Sequence, residues 1–193
     1  MKGYPTVLVL QPDGTEIDRL VGYYRAPEYI SKVEDYLAGR NTLASMTQEE
    51  ATKGQDPTFV STLADKYNEH GLAAEAMSRY ERVAALDPEN KTELVDDALF
   101  NIARMHRANK DYPSYRRYAQ RVVDKYPDSD MAHSAQLHVA ISYKREGNLA
   151  RARELFLDFA KRFPDDEDAP YAKEQADTLA VKIAQEQAGK SGA

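Results

Sequence analysis

The side chains best suited to hold a metal ion or move a proton are His70, His106, His133 and His138, and the acidic run Asp165-Asp166-Glu167-Asp168. The histidines show neither a His-x-x-x-His spacing nor a carboxylate pairing that would bring ligands together, so each reads as a structural side chain. The acidic run lacks the glycine and the alternating ligand positions of a calcium loop and fits a polar turn leading into a helix, whose first turn favours acids. The chain has no cysteine, which removes disulfides, thiolate nucleophiles, thiolate metal sites and dithiol redox chemistry from this polypeptide. No cofactor, no metal and no catalytic residue is expected, and the chain as given is not read as an enzyme.

Binding is the remaining chemistry, and the totals restrict it. A chain of 193 residues, 42% hydrophobic and 30% charged, holds one or two small domains with a packed core. A net charge of -6 and a pI near 5.3 argue against nucleic acid or an anionic membrane surface as partner, since either calls for clustered cations. No apolar run approaches the roughly 20 residues that span a bilayer, and no signal peptide opens the chain. The expectation is a soluble protein without membrane insertion, cytoplasmic as written and periplasmic if a leader precedes it. The sequence does not fix its compartment or oligomeric state.

Two unlike regions would position any site. Residues 6–10, TVLVL, and residues 16–22, joined through Gln11-Pro12-Asp13-Gly14, read as a β-hairpin. Ala26-Pro27-Glu28 then starts a helix whose apolar members Tyr29, Ile30, Val33, Tyr36 and Leu37 recur at helical spacing and stop before Gly39. Residues 39–56 form a polar linker, in which Thr47-Gln-Glu-Glu50 has the form of a capping box for a short helix.

From Pro57 onward the pattern is helical and repeats. The first unit carries Val60, Leu63, Ala64, Tyr67, Gly71, Ala76, Tyr80, Val83 and Pro88. The second carries Leu99, Ile102, Ala103, His106, Tyr112, Tyr115, Ala119 and Val122 before Pro127, and the third Val139, Ala140, Tyr143, Gly147, Ala152, Phe156 and Phe159 before Pro164. These residues resemble the tetratricopeptide repeat (TPR), a helix-turn-helix unit of about 34 residues. The second unit exchanges large and small at Tyr115 and Ala119, which reads as volume conserved across a contact. The repeats are placed at 57–92, 93–129 and 130–165, within 57–165. A capping helix at 166–188 covers the open end, and residues 189–193 are a frayed tail.

The opening Gly3-Tyr4-Pro5-Thr6, the hairpin and the helix, over roughly residues 2–38, resemble the C-terminal half of a thioredoxin-like domain. The resemblance implies that Pro5 is a cis-proline in a substrate-facing loop, with Tyr4 before it and Thr6 opening the strand. It also implies a bacterial thioredoxin-TPR fusion, with the Cys-x-x-Cys half missing, Met1 an internal methionine and residues 1–38 a partial domain. The fold class expected is mainly α, an α-solenoid of TPR repeats preceded by a β-hairpin plus helix from a partial thioredoxin-like α/β fold.

In the TPR family the first helices of the units line a peptide groove. Carried over by position, Phe100, Arg104, Arg107, Leu137, Ile141, Lys144 and Arg145 mix exposed apolar groups with four cations. They predict a protein or peptide client carrying acidic and apolar residues. The alternative function is a thiol-disulfide oxidoreductase or redox chaperone in the intact parent.

Overall fold

The computed structural model describes residues 5–191, and the chain forms two compact units that divide between Ala98 and Leu99, inside one helix. In the first unit β1 (Thr6–Leu10) and β2 (Glu16–Val21) pair antiparallel, Val7 opposite Leu20 and Val9 opposite Asp18, with a bulge between Val9 and Leu10. The turn closes because Gly14 adopts φ +87° and Asp13 Oδ1 accepts from the Thr15 amide at 2.9 Å.

Helix α1 (Ala26–Leu37) has Pro27 in its first turn and ends ahead of Gly39, at φ +71°. It seals one face of the hairpin through Val9, Leu20 and Tyr36, with Ile17, Tyr24 and Val33 around them. Helix α2 (Leu43–Lys53) then occupies most of the expected linker. Its cap is Thr42, not Thr47, because Thr42 and Ser45 exchange reciprocal hydrogen bonds across the first turn. Thr47 lies within the helix and donates to the Leu43 carbonyl at 2.7 Å.

The first repeat is α3 (Pro57–Glu69), capped by Asp56, and α4 (Ala73–Leu86), joined through Gly71 at φ +76°. Val60, Leu63, Ala64, Ala76, Tyr80 and Val83 are essentially inaccessible to solvent. The small alanines let the helix axes approach while Tyr80 fills the remaining space. The insertion after Pro88 is a built loop, in which the Asp87 carboxylate accepts from the amides of Lys91 and Thr92 and from the Thr92 hydroxyl.

Helix α5 (Val95–Ala108) spans the division, and the second unit continues with α6 (Tyr112–Lys125), α7 (Met131–Glu146), α8 (Leu149–Arg162) and α9 (Ala169–Ser191). The described helix α9 thus runs to Ser191, beyond the expected end at residue 188. Asp111 and Asn148 cap α6 and α8, and Gly147 closes α7 at φ +94°. The cores are Ala103, Tyr115, Ala119 and Val139, and Leu137, Ala140, Ala152, Phe156, Phe159, Ala172, Ala176 and Leu179. Tyr115 and Ala119 are both fully buried at their exchanged positions.

Three helices end in the same way. Asp87, Tyr126 and Phe163 take φ/ψ of -131°/65°, -131°/55° and -125°/63°. Each precedes a proline, whose ring excludes helical geometry from the residue before it.

Candidate functional site

The seven residues expected to line a groove lie on α5 and α7 within the second unit. Arg104 and Arg107 stand one turn apart on α5, and Lys144 and Arg145 close the last turn of α7. Arg104 and Arg145 are exposed, while Arg107, Ile141 and Lys144 are half-buried. Phe100 and Leu137, expected to be exposed, are only 9% and 4% accessible. Leu137 packs into the core formed with α8 and α9, and the Phe100 ring lies tilted on His138 with centroids 4.7 Å apart. The face is therefore more cationic and less apolar than the sequence pattern predicts.

The cations divide by partner. Lys144 donates to the Gln175 side chain on α9, and burial followed by the charges of Arg145 and Lys182 lowers its pKa. Arg104, Arg107 and Arg145 form no ion pair among the described residues.

Two side chains that the sequence assigns to structure alone feel the charges of those arginines. His138, on α7, meets Phe100 on one side and the edge of Tyr115, centroids 5.8 Å apart, on the other. Burial and then the positive charges of Arg107 and Arg104 push its pKa down to about 4, so the ring is neutral at pH 7. Burial pushes the Tyr115 phenol up to about 12, against the opposing pull of Arg107 and Arg145. Arg107 acts on this hydroxyl as a hydrogen-bond donor outside strict geometry, and His138 Nδ1 is buried with no hydrogen-bond partner. The exchange of Tyr115 with Ala119 was visible in the sequence; the burial of its hydroxyl was not.

The other three histidines are held in place by packing and carboxylates. His106 stacks on Tyr118 and lies 3.1 Å from Asp111, and His133 meets Asp166 at 2.7 Å beside Phe163. Among the described residues no group of three or more His, Cys, Asp or Glu is placed to hold a metal ion, and no helix is long and apolar enough to cross a membrane.

The first unit holds a second polar centre with a different character. Asp18 is fully buried, and its carboxylate accepts from His70 Nε2 at 2.9 Å, the Leu43 amide at 2.7 Å and the Arg19 amide at 2.7 Å. Lys66 Nζ lies 3.0 Å from the same carboxylate and donates to the Tyr36 hydroxyl at 2.6 Å. Burial alone would raise the Asp18 pKa and is the largest influence on it; the His70 bond, the Arg19 amide and Lys66 together outweigh it and hold the pKa low. The Asp18 carboxylate and Lys66 are thus paired with each other, and the centre ties β2, α1, α2 and α3 together. A cavity of about 300 Å³ lies beside it, lined in part by Lys32, Asp35, Tyr36 and Lys66.

Of the expected substrate loop, Tyr4 lies outside the described residues. The Pro5 carbonyl accepts from the Gly22 amide at 2.9 Å, and Thr6 opens β1 opposite Val21.

Paired antiparallel helices with alanines at the crossings and a proline after each second helix define a TPR-like protein. The tetratricopeptide repeat family profile matches residues 97–129 and 134–166, so the chain carries TPR repeats there. The fold is similar to that of a Podosopora anserina kinesin light chain candidate with nearly identical TPR-like repeats, at 15% identity, a TM-score of 0.58 and 85% of each chain covered. A single-substitution form of that protein aligns at 14% identity, a TM-score of 0.58 and coverage of 88% of this chain and 93% of that one. The MamA RS-1 ArsTM double mutant aligns at 16% identity and a TM-score of 0.53 over 83% of this chain and 93% of that one. No curated protein matches the chain. The fold is thus mainly helical and TPR-like, and TPR repeats make protein or peptide the class of partner.

Proposed function

We propose that the chain is a protein-interaction module whose α5 and α7 face takes a peptide or client segment carrying acidic and apolar residues. The supporting observation is that both TPR stretches place arginines on their first helices, Arg104 and Arg107 in one and Arg145 in the other, and that none is ion-paired among the described residues. Half-buried Ile141, one turn before Arg145 on α7, supplies apolar surface close to that charge. Uncommitted arginine is suited to this role because its planar fork binds carboxylate in two places at once. The test is selection of peptides from a random library by the full chain, repeated with R104E/R107E. Enrichment of acidic-apolar sequences that the reversed variant no longer selects supports the reading; an unchanged selection removes it.

The hairpin and α1 carry a second reading, as a partial thioredoxin-like element of a longer bacterial redox protein. Its support is the Gly3-Tyr4-Pro5-Thr6 tetrapeptide and the order of strand, Pro-Asp-Gly turn, strand and helix. Thiol-disulfide chemistry then belongs to a parent that supplies the cysteines. The coding sequence upstream of Met1 tests this, since an in-frame Cys-x-x-Cys at a helix start is required.

A further inference from the structure

We propose that the cavity of about 300 Å³ bounded by α1, Asn41, α2 and α3 is a binding site for a small organic monoanion with an apolar body. The site lies within the first unit and is independent of the α5 and α7 face.

Tyr36, Met46 and Lys66 are buried and form the floor, while half-buried Lys32 and Asp35 and exposed Asn41 and Thr62 stand at the mouth. Lys66 Nζ meets Tyr36 Oη at 2.6 Å and Asp18 Oδ1 at 3.0 Å, which leaves one of its three N–H groups over. The Tyr36 hydroxyl accepts from Lys66, and its own proton reaches no acceptor among the described residues. Buried donors are nearly always paired, so two left over on the floor of one cavity mark a place where an acceptor from outside belongs.

The charge of the lining selects that acceptor. Asp35 Oδ1 takes the Arg40 guanidinium at 2.7 Å and Oδ2 the Asn41 amide at 2.9 Å, and the Lys66 charge is met by Asp18. Among the charged groups lining the cavity, only Lys32 forms no ion pair among the described residues; its ammonium lies 5.0 Å from the centre of the Tyr24 ring. A cation would meet two lysines and a carboxylate already engaged, and a wholly apolar ligand would leave the floor donors unpaired. One unmatched positive charge suits a single negative charge, with Met46 and the Tyr36 ring as the wall for an apolar body. The volume is that of a small ligand, and the Asp35 bonds to Arg40 and Asn41 hold the mouth in place beforehand, so little ordering opposes binding.

The full chain, isotope-labelled, is titrated with benzoate, with benzamide as its neutral counterpart and with inorganic phosphate. The readouts are backbone amide shifts, affinity and melting temperature, compared among the parent chain, K32Q and T62F. K32Q removes the unmatched charge and T62F fills the mouth from an exposed position, and neither touches the Asp18 centre, so both variants should melt like the parent chain without ligand.

The expected result is saturable benzoate binding at about 1 mM or tighter, the range open to a ligand of so few atoms. Shifts should be confined to α1, Asn41, α2 and α3, and the melting temperature should rise with benzoate concentration. Affinity for benzoate should fall about three- to tenfold in K32Q and be lost in T62F. Absence of saturation with every probe would show that the cavity holds only water and would overturn the site. Benzamide binding as tightly as benzoate would overturn the selection for charge, and phosphate binding in place of benzoate would overturn the apolar body. Shifts centred on α6 to α9, or benzoate affinity unchanged in both variants, would place binding elsewhere and overturn the proposal.

Discussion

Replacing Asp18 with Asn is the sharpest test of how the first unit is held together. The substitution keeps volume and shape but removes a charge at a fully buried position. Asp18 Oδ1 faces Lys66, His70 and the Arg19 amide, and Oδ2 faces the Leu43 amide. An asparagine must set its own N–H₂ against one of these two groups of donors. The milder orientation gives up the Leu43 bond, a charge-assisted interaction of about 1.5–3 kcal/mol. It also leaves Lys66, 9% accessible at its side chain, without its countercharge. Breaking a buried pair in this way costs about 3–5 kcal/mol. Urea unfolding at pH 7 reads the total, and amide exchange locates it: protection should fall in β1, β2, α1 and the start of α2, and stay unchanged in α8 and α9. The double variant D18N/K66M should recover part of the loss, because an apolar replacement removes the stranded charge. A D18N protein within about 0.5 kcal/mol of the parent chain would show that the buried carboxylate contributes no more than an ordinary surface group, and the reasoning would fail. The same centre has an acid limit: since the folded pKa of Asp18 lies below its ordinary 3.8, its contribution is present above that value and disappears as pH falls through the folded pKa.

The second unit should respond to pH in a higher window. His138 titrates at about 4 when folded and 6.5 in its ordinary state, so the unfolded chain binds the proton first and stability declines from pH 6.5 toward 4, by about 1–3 kcal/mol. Thermal melts of the parent chain and H138F at closely spaced pH values check this, and H138F should be flat between pH 6.5 and 5. Tyr80→Ala empties a site only 1% accessible and should cost about 3–5 kcal/mol by chemical denaturation. Tyr80→Phe removes the hydroxyl that donates to Asp65, a 2.6 Å bond, and should cost about 1 kcal/mol or more in the same assay. Gly147→Ala should cost about 1 kcal/mol: a Cβ there meets nothing within 4 Å, so the φ of +94° is the whole penalty, and denaturation would expose any larger steric cause.

Features with a local cause were legible in the sequence. Pro88, Pro127 and Pro164 stop helices whatever surrounds them, and Gly14 and Gly147 mark positive φ, so the hairpin and helix pairs follow from neighbouring residues. Thr42 shows where local reading becomes ambiguous: Ser45 caps as well as the glutamate expected three residues on, and only the observed bonds choose between Thr42 and Thr47. Asp18 lay beyond reach for a different reason. In β2 the two alternating faces are Glu16, Asp18, Leu20 and Ile17, Arg19, Val21, which carry similar mixtures of polar and apolar groups, so periodicity does not say which turns inward. Its partner His70 is 52 residues away, a pairing set by tertiary contact alone. The placement of Arg104, Arg107, Lys144 and Arg145 on α5 and α7 follows from repeat position; the burial of Phe100 and Leu137 does not, because it depends on which neighbouring helices cover them.

One physical criterion separates the two polar centres and bears on function. Around Asp18 the carboxylate is met inside the fold by Lys66, the His70 ring and two amides. Around Tyr115 and His138 the balance differs: no hydrogen bond of strict geometry reaches Tyr115 Oη or His138 Nδ1, and Arg104, Arg107 and Arg145 form no ion pair among the described residues. A structural centre gains nothing from leaving such groups unpaired, since each costs stability that a phenylalanine at Tyr115 would restore. Y115F should therefore melt no lower than the parent chain, and a lower melting temperature would show that the hydroxyl is held by a bond with Arg107 instead.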